Sequence, residues 1–315
     1  MKKYNVGFIG LGNVGSKIAK NILKNKNNLF IHDLDKKKGL KLIKDGAVWS
    51  NNLEELSQKS DIIITCLPSP KAVNHVMSNL IIFLNNRHLW IEMSTTDEEE
   101  MIRLSNLCQK KNIETLEAPV TGGQHRAESG NISILVSGKK KTFNKAFNLL
   151  SNIGHNILYC GKIGNASTLK VVTNYLASIN LLSLGEALMV CKKYGLDLKT
   201  SYHGIAISSG NSFVHETESQ LILNGSYNVG FSMDLVCKDV GLFNKLTNKY
   251  NIKADISKLL NKKFKLGKKK YGGQAQSTSI IKLIEDSSNT KLRAKNFPKI
   301  LTDNEEKKQG VEIKF

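Results

Sequence analysis

The sequence predicts an α/β domain built on a doubly wound parallel sheet, followed by an all-α domain joined to it through one long helix. Three observations carry this. Short β-rich runs alternate with helical patterns through the first half of the 315 residues, a glycine-rich turn lies between the first strand and the first helix, and β-alternation stops near Asn165, after which helical spacing dominates. The length suffices for two cores. The expected divisions are residues 1–163, residues 164–286 and a polar tail over 287–315, loosely ordered or an extended arm.

In order, NVGFIG reads as a strand and SKIAKNILKN as a helix, then LFIHDLD and KKKGLKLIKD, DIIITCLP and KAVNHVMSNLIIFL, HLWIEMS and DEEEMIRLSNLCQKK. Strand plus helix repeated four times is the signature of βαβ units. IETLEAP, NISILVSG and NILYCG are further strands, with the helical KTFNKAFNLLSN between the last two. Asn165 to Lys193 has apolar residues at helical spacing and no proline, so it reads as a single long helix.

Gly10-Leu11-Gly12-Asn13-Val14-Gly15 follows the first strand and opens the first helix, the context in which this spacing binds a dinucleotide. The first glycine permits the tight turn, the second lets backbone approach a pyrophosphate, and the third brings helix and strand together. Asp33 ends the next strand at about the ~20-residue offset where a carboxylate reaches ribose hydroxyls. Leu34 follows it, with no arginine for a 2′-phosphate, so NAD is favoured over NADP. Asp35 competes for this role, and a plain strand-ending turn is the bland alternative.

The net charge of +19 admits an anionic partner, but the lysines are scattered and few aromatic residues lie among them, which argues for a solvated surface and against nucleic acid. Five cysteines without a CxxC pair indicate neither disulfides nor a metal site. No apolar run is expected to span a membrane and no signal segment opens the chain, so a cytoplasmic location is expected.

Thr121-Gly122-Gly123 offers a hydroxyl followed by two bare backbone N–H groups, a combination suited to a substrate carboxylate; a Gly-Gly turn between strands is the structural alternative. Lys170 and Asn174 lie four apart in the long helix and share one face. A lysine in a mostly apolar helix is costly unless paired or tuned for chemistry, whereas a snorkelling surface lysine is the ordinary case.

GFIGLGNVG, CLPSP, EAPVTGG with SGNISILVSG, GKIGNASTLKVVTN and FSMDLVCKDVGLF occur in the order found in the β-hydroxyacid dehydrogenase family, which the chain resembles over residues 5 to about 285. The resemblance implies a Rossmann-type domain, a helical substrate and dimerisation domain, and NAD-dependent oxidation of a small 3-hydroxy acid similar to 3-hydroxyisobutyrate, or reduction of its semialdehyde. It implies Lys170 as general acid/base, Asn174 holding the substrate hydroxyl, and cofactor contacts from Leu67, Pro68, Phe231 and Lys238. Ser94 and Thr95, in a segment similar to the family's Asp-x-Ser-Thr, either reach the nicotinamide ribose or cap the next helix. A homodimer or homotetramer is implied as well.

The chain departs from the family at Val14 and Lys17, which replace a methionine and a proline, at Gln124-His125-Arg126, and at Gln276, where many relatives carry an acid. His125 or Arg126 is a candidate reader of a second polar group on the substrate. Rival readings are an NADP-linked glyoxylate or semialdehyde reductase of the same family and, from another class, a non-catalytic scaffold or nucleic-acid-binding protein using the positive charge.

Overall fold

The computed structural model describes residues 3–315, which divide into two compact units, residues up to Lys170 with Asp303–Phe315, and Val171–Thr302. The first unit runs β1 (Asn5–Ile9), α1 (Gly15–Lys24), β2 (Asn28–His32), α2 (Leu40–Lys44), β3 (Val48–Trp49), α3 (Leu53–Lys59), β4 (Ile62–Thr65), α4 (Pro70–Leu80), β5 (Leu89–Glu92) and α5 (Glu98–Lys110). It continues with β6 (Glu114–Glu117), β7 (Val120–Thr121), α6 (Gly123–Ser129), β8 (Ile132–Gly138), α7 (Lys140–Ser151), β9 (Gly154–Gly161) and the start of α8 (Asn165–Tyr194).

Among the described residues the sheet order is β10-β9-β8-β6-β5-β4-β1-β2-β3, where β10 is Val311–Ile313 from the end of the chain. Pairing is parallel except that β8 runs antiparallel to both β6 and β7. From β7 the chain passes through the short helix α6 and returns as β8, antiparallel to both β7 and β6.

Period-two alternation divides the strand side chains between two faces. Val6, Phe8, Ile62, Ile64, Leu89 and Ile91 pack with Ile18 and Ile22 of α1 and Phe143 and Leu149 of α7; Ile9, Ile63 and Trp90 pack with Leu56, Val73, Met77, Met101 and Leu104 of α3, α4 and α5. Helices therefore cover both faces, as a doubly wound sheet requires. The order reverses between β4 and β1, and there ligands bind beyond the carboxyl ends of the strands.

The second unit holds the rest of α8, then α9 (Leu198–Ala206), α10 (Phe213–Asn224), α11 (Met233–Lys249), α12 (Asp255–Tyr271) and α13 (Lys282–Ser287). Its core joins Leu184 and Leu188 of α8 to Val236, Val240, Leu260 and Phe264, with Leu292 beyond α13 fully buried. Glu285, also fully buried, accepts from Tyr227 Oη at 2.5 Å, Arg293 Nη1 at 2.8 Å and the Leu292 N–H at 2.8 Å. Of the two alternatives for residues 287–315, loosely ordered or an extended arm, the contacts fit the second: the segment is anchored by buried groups in its first part and carries a sheet strand near its end.

One sequence expectation needs correcting. By length and composition α8 is apolar enough to cross a membrane, although no such run was expected. The apolar stripe is interrupted by Ser, Asn and Lys, which hides it from a search for unbroken runs, and Leu181, Leu184, Leu188 and Met189 put it in the core of the helical unit.

Candidate active site

Gly10 leaves β1 at φ +100°, and a Cβ there would stand 2.3 Å from the Cys66 carbonyl oxygen. A Cβ on Gly15 would meet the Gly10 carbonyl at 2.1 Å, whereas one on Gly12 would meet nothing within 4 Å. Gly10 and Gly15 are required by the fold of the loop itself. Gly12 is not, so the open space above it is what an approaching pyrophosphate would use. No side chain caps α1 and its first turn has no acid, which keeps that turn electropositive. The residues present fit a bound dinucleotide.

Asp33 closes this loop from β2. Its Oδ2 accepts the Leu11 N–H at 2.7 Å, Oδ1 accepts the Asp35 N–H at 2.9 Å, and Lys38 Nζ lies 3.3 Å away. Burial pushes the Asp33 carboxyl up, but the two backbone donors and the Lys38 ammonium outweigh it and hold it below the usual range. Asp35, the competing candidate, instead caps the turn at Lys36–Gly39 through the Lys37 N–H.

At the ends of β4 and β5 two turns are tied together, since the Leu67 N–H donates to Ser94 Oγ at 2.7 Å. Leu67 is half-buried and Pro68 exposed. Ser94 and Thr95 are not the helix cap: Asp97 caps α5 through the N–H groups of Glu99 and Glu100.

Two residues that lie within the sequence motifs but carry no role of their own there stand beside this edge. Glu92 ends β5 and Glu117 ends β6, paired across the sheet, and both are fully buried. Burial pushes the Glu92 carboxyl up to about 7 despite hydrogen bonds from Ser94 and Thr65, with the charge of Glu117 adding to the rise. Glu117, also raised by burial, accepts from the Gly164 N–H at 2.7 Å, the Ala166 N–H at 3.0 Å and the Ser167 hydroxyl, which closes the start of α8. Their signal was an acid ending each of two apolar strands, HLWIE and IETLE.

Three residues after Ser167 comes Lys170, 6% exposed. Thr121 leaves β7, and Gly122 and Gly123 follow at φ +120° and +81°, conformations open to glycine at little cost. Arg126 and His125 flank them: a Cβ on Gly122 would meet Arg126 Cδ, and one on Gly123 the His125 ring, each at 3.2 Å.

In the helical unit Asn174 is half-buried and its Nδ2 donates to Asp239 Oδ2 at 2.7 Å; Lys238 Nζ lies 2.8 Å from Asp239 Oδ1. Asp239, which is 1% exposed, therefore fixes which end of the Asn174 amide is the donor. Half-buried Phe231 and Gln276 shape the approach to α11, where Gln276 Oε1 accepts the Gly230 N–H at 2.7 Å and the Phe231 carbonyl accepts the Ser277 N–H.

Residues 5–161 match the family described as the NAD binding domain of 6-phosphogluconate dehydrogenase, and residues 164–284 that described as NAD-binding of NADP-dependent 3-hydroxyisobutyrate dehydrogenase. The 2-(hydroxymethyl)glutarate dehydrogenase of Eubacterium barkeri is 31% identical over 90% of this chain and 96% of its own. The chain belongs to the β-hydroxyacid dehydrogenase family. Rat mitochondrial 3-hydroxyisobutyrate dehydrogenase is 32% identical over 76% of this chain and 75% of its own. Among solved structures, 3-hydroxyisobutyrate dehydrogenase of Mycobacterium tuberculosis with L-serine superposes at TM-score 0.82 and 21% identity, covering 90% of this chain and 99% of that one. Membership of the β-hydroxyacid dehydrogenases makes the protein an NAD(P)-dependent oxidoreductase acting on hydroxy acids.

Proposed function

We propose that this β-hydroxyacid dehydrogenase oxidises a small 3-hydroxy acid to its semialdehyde with NAD, or runs the reverse reduction, with Lys170 as the acid/base. The observation that carries the reading is the burial of Lys170 on a helix whose start is clamped by Glu117. An amine in that setting is held away from bulk water and on a rigid element, as proton transfer at a fixed atom requires. Asn174 follows one turn later on the same helix face, with its amide oriented by Asp239.

Gly10 to Gly15, Asp33, Leu67, Pro68, Ser94 and Thr95, with Phe231 and Lys238, are the residues assigned to the cofactor, which when bound supplies the two-electron acceptor. Thr121 donates its hydroxyl, and Gly122 and Gly123 their N–H groups, to the substrate carboxylate. Asn174 holds the hydroxyl oxygen while Lys170 Nζ takes its proton; in the reductive direction Lys170 returns a proton to the same oxygen.

The ionised Asp33, without an arginine beside it, supports NAD over NADP. A cytoplasmic oligomer is part of the proposal, for which the exposed Leu176, Val190 and Tyr194 of α8 offer apolar surface. The test is a spectrophotometric screen of 3-hydroxyisobutyrate, 2-(hydroxymethyl)glutarate, serine, 3-hydroxypropionate, glycerate and 4-hydroxybutyrate with NAD and with NADP. Turnover of at least one 3-hydroxy acid with NAD is expected. Activity with NADP alone favours the NADP-linked reductase, and no turnover with steeply salt-dependent DNA binding favours the non-catalytic alternative.

A further inference from the structure

Two departures from the family pattern meet each other. Lys17, at the start of α1, donates from Nζ to Gln124 Oε1 at 2.9 Å, and beside this contact Lys20 pairs with Glu128 at 3.1 Å while Asn21 Nδ2 donates to the Ala127 carbonyl at 2.7 Å. One side of α6 is thus bolted to the helix that follows the glycine loop.

The terminal segment holds the other side. Asp303 Oδ2 accepts from Ser129 Oγ at 2.6 Å and from Asn131 Nδ2 at 3.1 Å, and Arg126 Nη2 lies 3.3 Å from Glu305 Oε1. Asn131, 2% exposed, also donates to the Glu306 carbonyl at 3.2 Å and accepts the Lys308 N–H at 3.0 Å. Farther along, Lys307 Nζ donates to the Asn152 carbonyl, the Gly310 N–H to the Ser151 carbonyl, and Val311–Ile313 pairs with β9. A polar segment docked through so many specific bonds is a strap of fixed register.

α6 begins at Gly123, directly after Thr121 and Gly122, so whatever fixes α6 fixes the direction of those backbone N–H groups. We propose that Asp303 is a positioning residue for substrate binding: through Ser129, Asn131 and α6 it holds the Thr121–Gly123 turn in the geometry that receives the carboxylate. The inference rests on the carboxylate role given to that turn above.

The test measures KM, kcat and the NADH dissociation constant for Asp303→Ala, Asp303→Asn and Thr121→Val, using whichever of 3-hydroxyisobutyrate and 2-(hydroxymethyl)glutarate is turned over faster. Asp303→Ala is expected to raise KM about three- to tenfold, as loss of one or two hydrogen bonds would, with kcat and NADH affinity within twofold. Asp303→Asn, which keeps one oxygen for Ser129 and Asn131 and gives up only the acceptor of the Glu305 N–H, should restore KM to within about twofold of wild type. If Thr121→Val raises KM but Asp303→Ala does not, or if Asp303→Ala lowers only the melting temperature, the positioning role is overturned while the carboxylate turn stands. If Thr121→Val leaves KM unchanged, the turn itself is misassigned and the inference goes with it.

Discussion

Replacing Asp33 by asparagine tests the cofactor assignment most sharply. Because its backbone donors and Lys38 hold the Asp33 carboxyl below the usual range, it carries a full negative charge at any assay pH from about 6 to 9. A doubly charged 2′-phosphate placed about 5 Å away is repelled by about 2 kcal/mol in water and about 3 kcal/mol where protein replaces half of the surrounding solvent. Lys38, half-exposed at 3.3 Å, cancels part of this but is screened by solvent. The remaining 1.5–2.5 kcal/mol, roughly, corresponds to about a ten- to hundredfold preference for NAD. Asparagine removes the charge. It also offers one acceptor where Leu11 and Asp35 now use two, so the glycine loop loosens and both cofactors bind less well. That loss cancels in the ratio of kcat/KM for NAD to kcat/KM for NADP, which should fall about ten- to hundredfold and stay flat with pH. A ratio that moves less than threefold, or a wild-type enzyme that prefers NADP, refutes the electrostatic argument.

Lys170→Ala should lower kcat about 10²- to 10⁴-fold while the NADH dissociation constant, read by fluorescence, stays within twofold; wild-type rates would end its acid/base role. Glu92 retains its proton to about pH 7 in the folded protein but only to about 4.5 when unfolded, so its contribution is fully present below pH 4.5 and is lost as pH rises to 7. The melting temperature of wild type relative to Glu92→Gln should therefore decline across that window, by an equivalent of up to about 3 kcal/mol; a difference that is constant with pH contradicts the shift. Tyr227→Phe removes the hydroxyl between Glu285 and Arg293 and should cost the helical unit about 1–3 kcal/mol in urea denaturation. An unchanged midpoint would show that the hydroxyl contributes nothing there.

Local pattern determined much of this protein. Alternation between period two and period 3.6 set the strands and helices of the sheet, because each side chain's face follows from backbone geometry alone, and the glycine spacing located the dinucleotide turn because Gly10 and Gly15 are demanded by atoms within a few residues of chain or one strand away. The five motifs were equally local, so family membership was readable without coordinates. What escaped the sequence depends on partners far along the chain. The two-residue strands β3 and β7 are too short to show a period, and β10 forms only because β9 presents an open edge to it. Glu92 and Glu117 fell within recognised motifs, but only the parallel register sets the two acids side by side without solvent. The Lys238-Asp239 pair stood out in the sequence, but the contact of Asp239 with Asn174, 65 positions earlier, did not. The polar tail read as loosely ordered or an extended arm because polarity alone promises no core; Asp303 finds buried Asn131 across 172 residues, and only the folded chain could bring that carboxylate to its donors.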